Sequence, residues 1–281
     1  MTNRKNILIT GASSGIGEAL ANRYASADSR LILLARNTEK LKQVANSCEQ
    51  KKAEVIIYSI DITNTEAVQE LVANVDAEYP IDLVICNAGV TSVLDDEGNA
   101  ESWDTITHVI DTNLYGVLAT LNPLISELKK RKHGQIAIVS SLAAYYGMPI
   151  TPIYCASKAA LKGYGESLRG WLKQDGIKVS MIYPGFVKSD LSDKFTSDKP
   201  FMVSPEKAAD IIYRGIAKNK ASISFPFPLN FGTWALSILP SALAGWIMGV
   251  LYGTRSTKHY AKNVTENITK NEAKNSSKNK T

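Results

Sequence analysis

Thr10-Gly11-Ala12-Ser13-Ser14-Gly15-Ile16-Gly17 (TGASSGIG) directly follows a short apolar run, 6–10, and precedes a segment with helical spacing, 18–27. The three glycines let the chain turn tightly and let a phosphate group approach the backbone closely. A helix that begins here would offer N–H groups and the positive end of its dipole to phosphates. The position of this stretch between a strand and a helix therefore predicts a dinucleotide-binding loop rather than an ordinary glycine-rich turn.

Seven short apolar, β-branched runs recur along the chain with helical segments between them. The runs are continuous rather than alternating, which is typical of strands covered on both faces in a parallel sheet. The runs are 6–10, 31–35, 54–59, 82–86, 135–140, 178–183 and 222–225, and the helical segments are 18–27, 38–50, 66–78, 103–130, 156–174 and 205–218. This alternation predicts an α/β fold, a Rossmann-like doubly wound parallel sheet of about seven strands with helices on both faces.

The composition favours one large domain without a metal site. The chain has 281 residues, 44% of them hydrophobic. Its three cysteines, Cys48, Cys86 and Cys155, are far apart and its three histidines are scattered, so we expect no metal. Free thiols and a polar N-terminus without a signal peptide predict a cytoplasmic location.

The excess positive charge lies in the C-terminal tail. The formal net charge is +5, but residues 255–281 hold seven basic and two acidic residues out of totals of 32 and 27, which leaves 25 of each sign in residues 1–254. A nucleic-acid-binding domain is expected to carry its basic patch on the folded surface. The charge distribution therefore predicts that nucleic acid is not a partner.

Further short motifs follow the later strands and begin the later helices. They are Asp61-Ile62, Asn87-Ala88-Gly89, Asn113, Ser141, Tyr154, Lys158 and Pro184-Gly185. With the G-x-x-x-G-x-G spacing of the first loop, this set resembles the short-chain dehydrogenase/reductase family over roughly residues 5–220. The resemblance implies an oxidoreductase that moves a hydride between a nicotinamide cofactor and a carbonyl or alcohol substrate.

The same resemblance implies a set of cofactor-binding residues. They are Gly11, Ser13, Ser14, Gly15, Ile16, Gly17, Arg36, Asp61, Ile62, Asn87, Ala88, Gly89, Tyr154, Lys158, Pro184, Gly185, Val187 and Ser189. Two positions depart from the family's pattern: Cys86 replaces the first asparagine of N-N-A-G, and Ser189 replaces the threonine of P-G-x-V-x-T. Ser189 keeps a hydroxyl for the nicotinamide amide or the pyrophosphate, so we expect cofactor binding to survive.

Arg36 predicts NADP(H) as the cofactor, in preference to NAD(H). Relatives that bind NAD place an acidic residue near the end of the second strand, where it accepts ribose hydroxyls. Here Ala35 holds that place and Arg36 follows it. A guanidinium can bind a 2′-phosphate through two hydrogen bonds, whereas a carboxylate would repel it. An exposed arginine that opens the next helix is the alternative interpretation.

Tyr154 and Lys158 form a Y-x-x-x-K pair at the start of a predicted helix. Residues i and i+4 share a helix face, so we expect the phenol and the ammonium in one pocket. We also expect the ammonium, with an oxidised nicotinamide, to lower the tyrosine pKa from about 10 so that Tyr154 exchanges a proton with the substrate oxygen. Lys158 should also bind the nicotinamide ribose. By resemblance, Ser141 hydrogen-bonds the substrate oxygen and Asn113 holds a water that links Lys158 to solvent.

Two functional hypotheses follow. The catalytic set favours a carbonyl reductase or alcohol dehydrogenase, and a catalytically silent NADP(H)-binding scaffold or redox sensor is the alternative. The sequence does not name the substrate, but several side chains predicted around the pocket suit an apolar or bulky carbonyl compound: Leu142, Tyr145, Tyr146, Met148, Pro149 and Phe186. We expect a homodimer or homotetramer that pairs through segments 103–130 and 156–174.

The composition changes after Lys220, and the sequence predicts three regions: a Rossmann-type catalytic and NADP-binding domain, 1–220, an apolar segment, 221–254, and a basic, disordered tail, 255–281. Residues 221–254 contain no charged side chain. Trp234–Gly253 has the length of a membrane span, but Pro240 divides it, and crossing would place the basic tail outside. We therefore expect the segment to dock on the inner face of a membrane. A lid over the substrate pocket or an oligomer contact is the alternative.

Overall fold

The seven predicted runs all form strands in the computed structural model, which describes residues 4–94, 99–195 and 199–251. The strands are β1 (Lys5–Thr10), β2 (Ser29–Ala35), β3 (Glu54–Ser59), β4 (Leu83–Cys86), β5 (Gln135–Val139), β6 (Lys178–Pro184) and β7 (Ser222–Phe225). They pair in parallel in the order β3-β2-β1-β4-β5-β6-β7. The predicted doubly wound α/β fold is therefore confirmed.

Helices cover both faces of this sheet. They are α1 (Gly15–Tyr24), α2 (Thr38–Glu49), α3 (Thr65–Glu78), α4 (Trp103–Ile110), α5 (Gly116–Arg131), α6 (Pro152–Leu172), α7 (Asp190–Asp193), α8 (Pro205–Ala217) and α9 (Leu229–Ile238). Side chains of successive strand residues alternate between the two faces. Ile7 and Ile9 pack into a core layer with α1, α2 and α8, whereas Leu8 packs into the opposite layer with α3, α5 and α6. This two-sided burial explains why the strands read as continuous apolar runs.

β1 lies inside the sheet, between β2 and β4, and pairs with both. The chain therefore builds the sheet outward in one direction through β2 and β3, and in the other through β4 to β7. At such a switch point the loops after β1 and β4 leave toward opposite faces and open a crevice at the carboxyl edge. The glycine-rich loop follows β1 and the Asn87-Ala88-Gly89 motif follows β4, so both are at this crevice.

The predicted helix 103–130 is divided in the structure. A π-helical turn, Asp111–Tyr115, separates α4 from α5. Such turns widen a helix locally and occur often at functional sites. Asn113 lies within this turn and is completely buried. A prediction from helical periodicity misses the π-helical turn, because one inserted residue hardly changes the spacing of the apolar residues.

The apolar segment begins with β7, the last strand of the sheet, which pairs with β6. After α9 the chain passes Pro240, and residues 241–251 are helical again. Among the residues described, no helix is both long and apolar enough to cross a membrane. The prediction of a disordered tail, 255–281, lies outside the described residues.

Candidate active site

A cavity of about 720 Å³ opens at the carboxyl ends of the strands. Most of the predicted site residues line it: Gly11, Ser13, Ser14, Gly15, Ile16, Arg36, Asp61, Ile62, Asn87, Ala88, Gly89, Ser141, Tyr154, Lys158, Pro184, Gly185, Val187 and Ser189. Gly17 and Asn113 are not on the cavity wall. The fold thus brings together motifs that are spread over nearly 180 residues of sequence.

The glycine-rich loop and the loop after β4 are bonded into one unit. Thr10 Oγ1 accepts hydrogen bonds from the backbone N–H groups of Asn87, at 3.0 Å, and Ala88, at 3.1 Å. In return, Asn87 Nδ2 donates to the carbonyls of Thr10 and Gly11, both at 3.1 Å. The Asn87 side chain therefore holds the phosphate loop in shape. Thr10 is a positioning residue that was not among the predicted site residues.

The glycines of this loop are required by close contacts. Gly11 has a φ of +65°, and a Cβ atom there would lie 2.8 Å from Ala88 Cα. A Cβ atom on Gly17 would lie 2.1 Å from the Gly11 carbonyl oxygen. Gly17 therefore acts from behind the cavity wall, by allowing α1 to begin directly against the loop.

The start of α1 fits a phosphate group. Ser14 is the N-cap residue, and its side chain makes no capping hydrogen bond. Helix N-termini leave backbone N–H groups without intrahelical partners, and the helix dipole favours an anion there. Gly15 has a φ of +57° and lines the cavity beside this helix start. The loop therefore fits the pyrophosphate of a dinucleotide.

Two cations stand at the end of the cavity formed by β2 and α2. Arg36 is exposed, and its Nη1 lies 3.7 Å from Asp61 Oδ2. Lys40 belongs to the first turn of α2 and also lines the cavity, where its Nζ lies 3.5 Å from Asp190 Oδ2. Sequence reasoning missed Lys40, although its spacing of four residues from Arg36 was visible. Each cation has an aspartate partner that also lines the cavity, and each can donate charge-assisted hydrogen bonds to a phosphomonoester.

Tyr154 and Lys158 lie in the first turns of α6 and are buried together. The relative exposures are 8% for Tyr154 and 4% for Lys158. Lys158 Nζ lies 5.8 Å from the centroid of the tyrosine ring and donates a 3.0 Å hydrogen bond to the Val139 carbonyl. Ser140 Oγ donates to the Lys158 carbonyl at 2.8 Å. The end of β5 therefore fixes the lysine side chain and its helix at the same time.

Burial governs the protonation of this pair. Burial raises the pKa of Tyr154 to about 12, although a hydrogen bond with Ser141 acts in the opposite direction. Burial lowers the pKa of Lys158 to about 8. Desolvation of the phenolate outweighs the effect of Lys158, whose ammonium bonds to the Val139 carbonyl. The predicted lowering of the tyrosine pKa, which includes an oxidised nicotinamide, stays a prediction. At neutral pH Tyr154 carries its proton and can donate it.

Asn113 connects three parts of the site through its side chain. Its Oδ1 accepts from the Val90 N–H at 2.8 Å, and its Nδ2 donates to the Val90 carbonyl at 2.9 Å and to Ser157 Oγ at 3.0 Å. A Cβ atom on Gly89 would lie 3.2 Å from this Oδ1 and 3.4 Å from Lys158 Nζ. The amide thus fixes the loop after β4 against α6. Its predicted role in holding a water stays a prediction.

Two serines on the cavity wall, Ser141 after β5 and Ser189 before α7, also have hydrogen bonds within the protein. Ser141 Oγ accepts from the Ala143 N–H at 3.1 Å and lies 3.5 Å from the Pro184 carbonyl. Ser189 Oγ caps α7 by accepting from the Ser192 N–H at 3.3 Å. Gly185 N donates to the Phe225 carbonyl at 2.8 Å, which ties the end of β6 to β7. These bonds hold the β5 and β6 edges of the cavity in register.

The apolar segment supplies one wall of the cavity. The lining residues from α9, residue 239 and the helix 241–251 are Leu229, Gly232, Thr233, Ala235, Leu236, Leu239, Ile247, Met248 and Leu251. None of them was named individually as a site residue, although a lid over the substrate pocket was one alternative interpretation of this segment. Of the six predicted pocket residues, Leu142, Tyr146, Met148 and Phe186 line the cavity. Tyr145 and Pro149 do not, and Tyr145 instead packs against Tyr183 at 4.8 Å between ring centroids.

A family model and individual known proteins both match this chain. A family model described as short chain dehydrogenase matches residues 5–200. The chain is 35% identical over 242 residues to an uncharacterized oxidoreductase of Myxococcus xanthus, an alignment that covers 85% of this chain and 94% of that protein. It is also 35% identical over 230 residues to 11-beta-hydroxysteroid dehydrogenase-like 3 of Arabidopsis thaliana, covering 79% of this chain and 74% of that protein.

Solved structures share the fold. A short-chain dehydrogenase from Sphingobium yanoikuyae in complex with NADPH superimposes with a TM-score of 0.73 and 22% sequence identity, over 88% of this chain and 95% of that chain. At this identity the likeness concerns the arrangement of the backbone. The carboxyl-edge cavity described above therefore belongs to a fold with many solved examples.

Proposed function

This chain belongs to the short-chain dehydrogenase family, and we propose from that membership that it transfers a hydride between NADP(H) and a carbonyl or alcohol substrate. The observation that carries the proposal is the joint burial of Tyr154 and Lys158 in the cavity that the glycine-rich loop also lines. NADPH oxidation followed with a panel of ketones and aldehydes tests it directly. A catalytically silent NADP(H)-binding scaffold is the rival, and it predicts cofactor binding without turnover of any compound.

The chain's own residues position the substrate and move one proton. When bound, NADP(H) supplies or accepts the hydride. Tyr154 donates its phenolic proton to the carbonyl oxygen during reduction, and takes a proton from the alcohol during oxidation. Ser141, which is hydrogen-bonded to Tyr154, orients the same oxygen. Lys158 places its positive charge beside the phenol and favours its ionised form as the proton leaves.

Two features support NADP(H) over NAD(H). Arg36 and Lys40 line the cavity where β2 ends, and Ala35 stands where a ribose-binding carboxylate would discriminate against a 2′-phosphate. The Sphingobium yanoikuyae relative in fold holds NADPH.

Arg36→Ala is expected to weaken NADPH binding selectively. Loss of one charge-assisted contact with a phosphate costs about 1–3 kcal/mol, or about 5- to 150-fold in Kd, whereas NADH lacks that phosphate and should bind nearly as before. Fluorescence titration of both cofactors measures the change. Lys42→Ala is the matched control, since Lys42 lies on α2, is exposed and pairs with Glu39. Equal wild-type affinity for the two cofactors would contradict the preference.

The pH profile of carbonyl reduction should fall on the alkaline side. The kcat/KM reports the protonation of the free enzyme, and Lys158 loses its proton as the pH rises through about 8. We therefore expect kcat/KM to be flat near neutral pH and to decline above about pH 8. Lys158→Arg keeps a cation at all these pH values, so its decline should move to higher pH. A rate that increases through pH 8 would refute this assignment.

We also propose that the protein assembles as a homodimer or homotetramer through α5 and α6. Trp171 on α6 is half exposed, and its ring lies 4.7 Å from Lys129 Nζ of α5. Light scattering at micromolar concentration should show a dimer or larger species, and Trp171→Asp should shift it toward monomer. A wild-type monomer would contradict the proposal.

The substrate is proposed to be apolar, and the protein to associate with the cytoplasmic face of a membrane. The C-terminal wall of the cavity consists mainly of leucine, isoleucine and methionine side chains. Such a wall favours a hydrophobic carbonyl compound over a sugar. The opposite surface of the same wall is apolar as well.

A further inference from the structure

Each of the two C-terminal helices, α9 and the helix 241–251, is apolar on two opposite faces. One face of α9 and of the helix 241–251 lines the cavity through residues such as Leu236 and Met248. The other face is exposed and carries Phe231, Trp234, Ile238, Leu243, Trp246 and Val250, with Phe227 just before α9. Neither helix contains a charged residue. A surface helix of a globular protein normally presents a polar face to solvent, whereas these two helices present apolar side chains both to the cavity and to solvent.

The exposed aromatic and aliphatic side chains of both helices are here called the outer surface. Phe231 and Trp234 pack against each other at 5.7 Å between ring centroids. Phe231 is 59% exposed and Trp246 67%. Several large apolar side chains exposed on neighbouring turns indicate a surface that another apolar phase or molecule covers.

The charges around this patch favour a lipid bilayer as the occupant. The uncharged stretch, 221–254, is preceded by the exposed lysines Lys218 and Lys220 and followed by the seven basic and two acidic residues of 255–281. Basic residues that flank an apolar helix face attract anionic headgroups. Tryptophan is favoured at the boundary between headgroups and acyl chains. A protein partner would instead be expected to meet a polar rim that hydrogen-bonds across the interface.

The cavity and the outer surface meet at Leu251. This side chain lines the cavity and is also 65% exposed. We infer that the outer surface lies in the headgroup region of an anionic bilayer, and that the substrate is a lipophilic carbonyl compound that passes from the bilayer into the cavity beside Leu251. The substrate part of this inference rests on the proposed oxidoreductase function, whereas the docking part does not.

Tryptophan fluorescence distinguishes an outer surface that lies in lipid from one that does not, because two of the chain's four tryptophans lie on that surface. The Trp103→Phe/Trp171→Phe variant reports only on Trp234 and Trp246, and the Trp234→Phe/Trp246→Phe variant is the matched control that reports only on the body. Both full-length proteins are mixed with phosphatidylcholine–phosphatidylserine vesicles whose acyl chains carry bromine near the headgroup.

We expect the vesicles to quench the first variant by about half or more and the control very little, since an interfacial helix lies roughly 5–10 Å into the headgroup and acyl boundary. Vesicles of phosphatidylcholine alone should quench less. Equal quenching of both variants, or none, overturns the docking. If a second copy covers this surface instead, the vesicles do not quench, and Trp234→Glu/Trp246→Glu reduces the size of the oligomer.

The route of the substrate is tested with methyl ketones of increasing chain length, supplied with vesicles and NADPH. Trp234→Glu/Trp246→Glu should bind the vesicles about tenfold or more weakly, reduce water-soluble ketones like the wild type, and lose rate on membrane-dissolved ones. Equal loss on both kinds of ketone, or on neither, overturns the route. If wild-type protein binds vesicles but reduces no ketone, the proposed function fails and the substrate route falls with it, while the docking stands.

Discussion

Tyr154→Phe is expected to lower kcat for carbonyl reduction by about 10²- to 10⁴-fold, the contribution of a positioned general acid. The phenol is the proposed proton donor, and phenylalanine keeps the ring but has no proton to give. Affinity for NADPH should stay nearly unchanged, because the glycine-rich loop, Arg36 and Lys158 remain. Steady-state rates and fluorescence titration measure the two effects separately.

The control for this variant is Tyr164→Phe. Tyr164 lies on the same helix, α6, and packs against a core layer rather than lining the cavity. It should keep the wild-type rate. If Tyr154→Phe also kept that rate on a confirmed substrate, Tyr154 would not be the general acid or base.

Lys158→Ala is expected to damage both binding and turnover. Loss of a hydrogen bond from a charged group costs about 1.5–3 kcal/mol, which is roughly 10- to 150-fold in the Kd for NADPH, and the phenol loses its cationic neighbour as well. The measurements are again titration and steady-state kinetics, with circular dichroism to confirm the fold.

Because Lys158 is buried, alanine would also leave a space and an unpaired Val139 carbonyl. Lys158→Met fills that space without the charge and separates the loss of volume from the loss of the ammonium. We expect the methionine variant to bind NADPH as weakly as the alanine variant. Wild-type affinity in the methionine variant would show that the ammonium does not hold the cofactor.

The sheet and the motifs along its carboxyl edge could be predicted because each depends on local sequence. Apolar runs covered on both faces predict parallel strands, and a motif directly after such a run must lie at the carboxyl edge. Asp61, Asn87, Ser141 and Pro184 each follow or end a strand, and the fold brings them to one cavity. Tyr154 and Lys158 share a helix face by spacing alone.

The remaining features depend on tertiary contacts that a linear pattern does not contain. The π-helical turn around Asn113 is stabilised by bonds to Val90 and Ser157, which are distant in sequence. The raised pKa of Tyr154 reflects how much protein surrounds the phenol, which spacing does not reveal. In the sequence analysis, 221–254 is also treated as either a lid or a docking segment. In the structure, one face of its helices lines the cavity and the other is exposed.

Transfer of a labelled hydride tests the proposed oxidoreductase chemistry most directly. The protein is incubated with lipophilic and water-soluble ketones and with NADPH that carries deuterium at the transferable position of the nicotinamide, and the alcohols are analysed by mass spectrometry. We expect an alcohol with one deuterium on the former carbonyl carbon, formed by the wild type and by Tyr164→Phe but scarcely by Tyr154→Phe. Equal labelling by Tyr154→Phe, or no labelled alcohol from any ketone although NADPH binds, would contradict it.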